Sequence, residues 1–200
     1  MFVRDEARAG QRVLGIDPGL SRCGYGVVEQ TPDGPRALAG GVIETPASAA
    51  VPQRLVELAD ELELVMADHQ PTVVAVERVL FQTNVRTAMA VGQASGLALL
   101  VAARRGVEVV EYSPNEVKHA VAGYGGADKA QVQMMVKSLL ALPEVPEPPD
   151  LADALALALC HLSVAPLRER VEAHAHAAGG GRVAGLDQAI QAALAKEASR

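Results

Sequence analysis

The stretch GIDPGLSRCGYGVVE, residues 15–29, decides the fold. An apolar run at residues 13–16 stops at Asp17-Pro18-Gly19, and a second apolar segment, residues 25–29, begins a few positions later. Proline and glycine at such a join suit a tight turn, so the two segments read as neighbouring antiparallel strands with an acid at the tip of the first. Residues 38–43 follow across Pro32-Asp33-Gly34 and complete a three-stranded antiparallel meander.

Two further strand-like runs, residues 73–76 and 107–111, are each preceded by a long helical segment. Residues 52–68 set Leu55, Leu58, Ala59, Leu62 and Val65 at helical spacing, with Glu57, Asp60, Glu61 and Glu63 on the opposite face. Residues 84–105 form the second helix. The order β-β-β-α-β-α-β predicts an α/β fold: a five-stranded mixed sheet, its first three strands a meander, flanked by helices. Ser113 then caps a short helix, with Pro114 at its first position and Glu116 at its third. After the glycine-rich residues 123–126, Asp128 caps a helix over 129–140. A proline-interrupted loop, 143–149, leads into a last core helix, 150–164, with Leu151, Leu155, Leu159 and Leu162 on its apolar face. Beyond Pro166 the sequence turns linker-like, EAHAHAAGGG at residues 172–181, and Leu186, Ile190 and Leu194 suggest only a frayed helix. The expected organisation is an N-terminal extension (1–11), one domain (12–166) and a flexible tail (167–200).

With 200 residues, 50% of them hydrophobic, the chain can build one sizeable core. Collagen-like, disulfide-stapled and disordered classes are excluded. Cys23 and Cys160 lack CxxC spacing and read as reduced thiols. The first residues hold no apolar segment of the kind that directs export, and the longest apolar run, 96–103, is far shorter than the roughly 20 residues of a membrane span, so a soluble, cytoplasmic protein is expected. The formal charge of −6 and the scarcity of aromatics, two Phe and three Tyr, argue against a simple basic nucleic-acid binder. That total is an average over unlike parts: residues 1–77 carry −6, residues 78–137 carry +3 and residues 138–200 carry −3.

Four acids stand out by position. Asp17 and Glu77 each end an apolar strand, and Asp150 and Asp153 sit at i and i+3 in the first turn of the last helix, on one face. Taken singly, a strand-end acid is most often a turn residue and a helix-start acid a dipole partner. The fold changes the weighting, because the first and fourth strands can lie side by side with the last helix across their carboxyl ends, where ligands bind in open α/β sheets. Four carboxylates in one crevice cannot all ionise cheaply; a hard divalent cation with oxygen ligands, Mg²⁺ or Mn²⁺, relieves this. Two such ions suit phosphodiester hydrolysis.

These segments also resemble a known family. GIDPGLSRCGYGVVE, AVERV followed by the helix containing VGQASG, EYSPNEVKHAVAGYGGADKAQVQMMV and DLADALALALCH are similar, in order and spacing, to the RuvC Holliday-junction resolvases of the ribonuclease H-like superfamily. The resemblance covers residues 12–166. It implies that Asp17, Glu77, Asp150 and Asp153 are catalytic acids holding two Mg²⁺ or Mn²⁺ ions. It further implies a homodimeric endodeoxyribonuclease that cuts four-way junctions symmetrically, with the branch-migration proteins RuvA and RuvB as partners. A two-fold dimer independently suits a junction of approximate two-fold symmetry. The helix over 84–105, with Ala88, Ala90, Gly92, Ala94, Ser95, Gly96 and Ala98, is small enough for close helix approach, either to a second copy or to its own sheet.

Lys118 and Lys129 match the family's phosphate contacts. Lys129 also stands in the first turn of a helix, where a cation opposes the macrodipole and calls for a nearby anion. Arg78, Arg86, Arg104 and Arg105 are weaker candidates for DNA contact. Three residues after Glu77, where the family often has an aromatic, stands Leu80; Phe81 beside it is the candidate for base stacking, and Thr83 occupies the place of an expected lysine. His161, His174, His176 and Cys23 read as structural or incidental. Two rival readings fit less well. An actin-like ATPase or sugar kinase needs a second Asp-x-Gly loop and a longer chain, and a non-cutting junction scaffold would not need the full acid set.

Overall fold

A computed structural model describes residues 10–78 and 85–177. The strands are β1 (Arg12–Asp17), β2 (Arg22–Thr31), β3 (Gly34–Glu44), β4 (Val73–Glu77) and β5 (Glu108–Tyr112). The helices are α1 (Val51–His69), α2 (Val85–Arg104), α3 (Pro114–Ala122), α4 (Lys129–Leu139) and α5 (Pro149–Ala177). They form one sheet in the order β3-β2-β1-β4-β5. β1 to β3 pair antiparallel as a meander, while β4 joins β1 and β5 joins β4 in parallel. The expected mixed sheet is therefore the observed one, with β1 at its centre.

The meander strands are longer than the apolar runs that mark them. β2 and β3 extend through Gln30, Thr31 and Arg36, where polar side chains alternate with buried ones and an uninterrupted apolar run is not needed. Arg12 crosses this edge, donating to Glu29 at 3.1 Å and to the His69 carbonyl at 3.0 Å.

Each face of the sheet carries its own core. Leu14, Ile16, Val27, Val74 and Val76 pack on Leu58, Leu62 and Met66 of α1 and on Ala94, Ala98, Val101 and Ala102 of α2. Val13, Val28 and Ala75 pack on α5, which α3 and α4 cover from outside through Val117, Val121, Val132 and Val136. From Ala152 to Cys160, α5 is buried on nearly every side except at Asp153. The four-leucine face expected from the sequence is thus only part of its contact surface, as befits a helix enclosed between layers.

α5 lies against the sheet at backbone distance. A Cβ added to Gly15 would fall 1.9 Å from the Ala154 carbonyl oxygen, and one added to Gly24 would fall 2.1 Å from that of Asp150. Gly15 pairs across the ladder with Gly26, where a Cβ would meet Leu155 at 2.7 Å. Three glycines thus pave one patch on which the helix rests, the use of strand glycine that close backbone approach demands.

Two sequence expectations are corrected. α5 does not stop near Val164 but continues past Pro166 to Ala177. Proline removes one helical hydrogen bond and bends a helix, yet the alanine- and glutamate-rich residues beyond it are good helix formers and carry the helix on. His161 is accordingly inside the helix and not near its end. Uninterrupted apolar runs also understate α2: Thr87–Arg104, taken whole, is long and apolar enough to cross a membrane. In this fold its Ala94, Ala98, Val101 and Ala102 are buried against the sheet.

Gly15→Ala is expected to cost about 3 kcal/mol or more, because the clash is with helix backbone and cannot be relieved by a rotamer. Gly126→Ala, whose Cβ would make only ordinary contact at 3.6 Å, should stay within about 0.5 kcal/mol. Urea denaturation of the two variants checks the contrast.

Candidate functional site

Parallel pairing of β1 with β4 sets Ile16 opposite Val76, so the next residues, Asp17 and Glu77, emerge side by side at the carboxyl ends of the two strands. The first turn of α5 crosses these ends and brings Asp150 and Asp153 to them. α3 and α4 close the crevice from the other side. Each begins with a capping box: the Ser113 backbone N–H donates to Glu116 at 2.8 Å, and the Gln131 N–H donates to Asp128 at 2.9 Å. The result is a cleft of about 310 Å³ lined by Asp17, Glu77, Asp153, Lys118 and Lys129, with an apolar floor including Val117, Val132, Ala156 and Leu157.

Crowding of like charge is visible in the titration behaviour. Burial, then the charges of Glu77, Asp153 and Asp150, push the Asp17 carboxyl up to about 7. Burial and Asp153 likewise raise Glu77, and a hydrogen bond from Asp17 partly offsets this. The helix acids are balanced differently. Lys129 Nζ donates to Asp153 Oδ2 at 2.7 Å, and this bond holds the ammonium above its ordinary range. Arg22 donates through Nε at 3.2 Å and Nη2 at 3.1 Å to Asp150 Oδ2.

The anion expected near Lys129 is therefore the chain's own Asp153. Asp150 stands at the rim, turned to Arg22, and does not line the cleft. Among the described residues no three His, Cys, Asp or Glu side chains close on one metal-sized point. The donor set nonetheless fits a hard divalent cation: it offers oxygen ligands only, and its acids exceed what Lys129 and Arg22 neutralise.

The remaining candidates fall into place or outside. Lys118 lines the cleft. Arg78 leaves it, reaching the Glu111 carbonyl at 3.4 Å, and Arg105, just past α2, reaches across to α1 and donates to the Glu63 carbonyl at 3.1 Å. Leu80, Phe81 and Thr83 lie outside the described residues, as do the side chains of Arg86, His174 and His176. His161 is buried, 3.0 Å from the Tyr112 hydroxyl, and is structural as expected. Cys23 is buried and its thiol is pushed up to about 12 by that burial. Sequence reading misses Arg22 as a partner of Asp150, and its signal is only a basic residue two positions before the paving Gly24.

A mixed five-stranded sheet in this order, with acids ending two adjacent parallel strands and a helix carrying two more across them, defines a ribonuclease H-like nuclease. Residues 13–161 match the model of the family described as "Crossover junction endodeoxyribonuclease RuvC". A relative of that name from Salinispora arenicola is 53% identical over 174 residues, covering 86% of this chain and 99% of the relative. The structure of Thermus thermophilus RuvC in complex with Holliday junction substrate superposes with a TM-score of 0.75 at 39% identity, covering 78% of this chain and 96% of that one. The yeast mitochondrial Holliday junction resolvase shares the fold, with a TM-score of 0.57 at 15% identity over 81% of this chain and 83% of its own. The chain belongs to the RuvC family of crossover junction endodeoxyribonucleases.

The Asp17 carboxyl keeps its proton up to about pH 7 when folded but loses it near its ordinary 3.8 when unfolded. Its contribution to stability is therefore full below about pH 4 and fades as pH rises through 7. In EDTA at pH 7.5, Asp17→Asn should melt a few degrees above the unmodified chain, at roughly 2–4 °C per kcal/mol of relieved repulsion. Added Mn²⁺ should raise the melting temperature of the unmodified chain more than that of the variant. Scanning calorimetry reads both.

Proposed function

We propose that this chain resolves four-way DNA junctions by divalent-metal-dependent phosphodiester hydrolysis at the crevice between β1, β4 and α5. The observation that carries this reading is the placement of Asp17 and Glu77 side by side, with Asp153 and two lysines facing them in one cleft. The junction bound to the Thermus thermophilus relative supplies the substrate class.

In this reading Asp17, Glu77, Asp150 and Asp153 hold Mg²⁺ or Mn²⁺, two ions per site. When bound, such ions make water a stronger nucleophile near neutral pH and offset charge on the phosphate and the leaving oxygen. The chain's own residues do the rest. Asp17, pushed up to about 7 by burial and its neighbours, would lose its proton to solvent as a cation binds, with Glu77 beside it as a further oxygen ligand. Lys129, once Asp153 turns to the cation, is free to meet a DNA phosphate at the start of α4, and Lys118 meets another from α3. The apolar floor limits water in the cleft and strengthens these charge interactions. Phe81 is the candidate to stack on a base near the junction centre, with Arg78 and Arg86 as subsidiary contacts.

The reading includes a homodimer, and α2 supports it. Val85, Met89 and Leu100 are exposed, and Gly92 and Gly96 between them have open space where a Cβ would stand. Ala94 and Ala98 are buried under the same helix, so its small residues divide between the sheet and an outward apolar stripe. A second copy on that stripe provides two sites for symmetric cuts. RuvA and RuvB as partners, and a cytoplasmic location beside the chromosome, complete the proposal.

Asp17→Asn is expected to bind a labelled four-way junction as the unmodified chain does while cleavage with Mg²⁺ or Mn²⁺ disappears; normal cutting in a gel assay would sink the assignment. Lys118→Ala and Lys129→Ala should each weaken junction binding and lower the slope of log affinity against log salt by roughly 1, measured by titration at several salt concentrations. Met89→Asp combined with Leu100→Asp should sediment as a monomer in analytical ultracentrifugation, where the unmodified chain sediments as a dimer.

A further inference from the structure

We infer that Arg22 is a positioning residue for the acidic crevice: clamped between Glu44 and Asp150, it fixes the Asp150 carboxylate at the rim by one oxygen and leaves the other open to a cation. This rests on the metal-dependent reading above. Arg22 opens β2 and pairs across the ladder with Glu44, the last residue of β3. Its guanidinium faces two ways. Nη1 donates to Glu44 Oε1, while Nε and Nη2 both donate to Asp150 Oδ2.

The second contact is one-sided in a useful way. Both nitrogens take the same oxygen, and among the described residues Oδ1 of Asp150 has no hydrogen-bond partner. A carboxylate gripped by one oxygen keeps the other as a ligand, the arrangement in which groups outside a metal site orient those inside it. The backbone is fixed nearby as well, because Gly24, two residues beyond Arg22, touches the Asp150 carbonyl. Helix position and carboxylate position are therefore set by the same segment of β2.

Without the guanidinium, Asp150 would be left near the charges of Asp17 and Asp153 with Lys129, already bound to Asp153, as its remaining counter-charge, and would turn to solvent. Glu44 has no place in the cleft; its part is to hold Arg22 in line, so that the grip on Asp150 is formed before any ligand arrives. Arginine suits this and lysine does not, because the planar fork reaches both carboxylates at once.

The test is Mn²⁺ binding by the full chain, followed by electron paramagnetic resonance of the free ion, beside cleavage kinetics across Mn²⁺ concentration. Arg22→Ala is expected to weaken Mn²⁺ affinity by about 10–100-fold and to raise the Mn²⁺ needed for half-maximal cleavage equally, with kcat at saturating Mn²⁺ within a few-fold of the unmodified chain. Arg22→Lys and Glu44→Gln should fall between. Melting in EDTA should barely move, since the pair is solvent-exposed and contributes little to stability. Unchanged Mn²⁺ affinity in Arg22→Ala, with junction binding weakened instead, would make Arg22 a phosphate contact and overturn the inference. Tighter Mn²⁺ binding would overturn it too, by making Arg22 a competitor of the cation. Failure of the unmodified chain itself to take up Mn²⁺ would overturn the metal-dependent reading and this inference with it, and is distinguishable because it appears before any substitution is made.

Discussion

Direct contact between the α5 backbone and a glycine-paved patch of β1 and β2 is the constraint on which the other features depend. Side chains at Gly15, Gly24 or Gly26 would lift the helix from the sheet, since the nearest atoms are carbonyl oxygens and Leu155. Held this low, the first turn of α5 comes level with the strand ends, and Asp153 joins Asp17 and Glu77 in the cleft with Asp150 at its rim. The same contact seats Ala154, Leu155 and Ala158 in the core. Core and crevice are thus two ends of one packing interaction, and α3 and α4 are stacked on its outer side.

Electrostatics follows from that placement. Burial and mutual repulsion lift Asp17 and Glu77, while Lys129 and Arg22 compensate the helix acids one by one. This is a divided solution: carboxyls held toward their protonated form on the strand side, cations on the helix side. A divalent ion replaces both kinds of compensation together, which is why a chain with formal charge −6 can still present cations to a polyanion once its crevice is filled.

Much of this is legible in the amino-acid sequence alone. Proline, glycine and capping residues mark where strands turn and helices begin, and those are local signals; the meander and the Ser113 and Asp128 caps follow from them, whereas the β1–β4 adjacency is one arrangement that the element order allows. Asp17 and Glu77 are readable because an acid that ends an apolar run is conspicuous. What the sequence hides is nonlocal. The pairing of Arg22 with Asp150 spans 128 positions, and no pattern within β2 signals it. The continuation of α5 beyond Pro166 is hidden because a proline and a change of composition look like a boundary, although helix propensity on both sides permits passage. The retreat of Asp150 to the rim depends on which cation is nearest, a three-dimensional fact.

The two cysteines carry one more consequence, in the chemistry of oxidants. Cys23 and Cys160 are both enclosed, and the Cys23 thiol is kept protonated by its surroundings, whereas thiol oxidation proceeds through an accessible thiolate. Sulfur elsewhere is less sheltered: on α4, Met134 is 56% and Met135 37% exposed. Peroxide would therefore reach thioethers before thiols, and the first lesion would be methionine sulfoxide on the outer face of α4, a reversible change that leaves the Cys23 sulfur untouched.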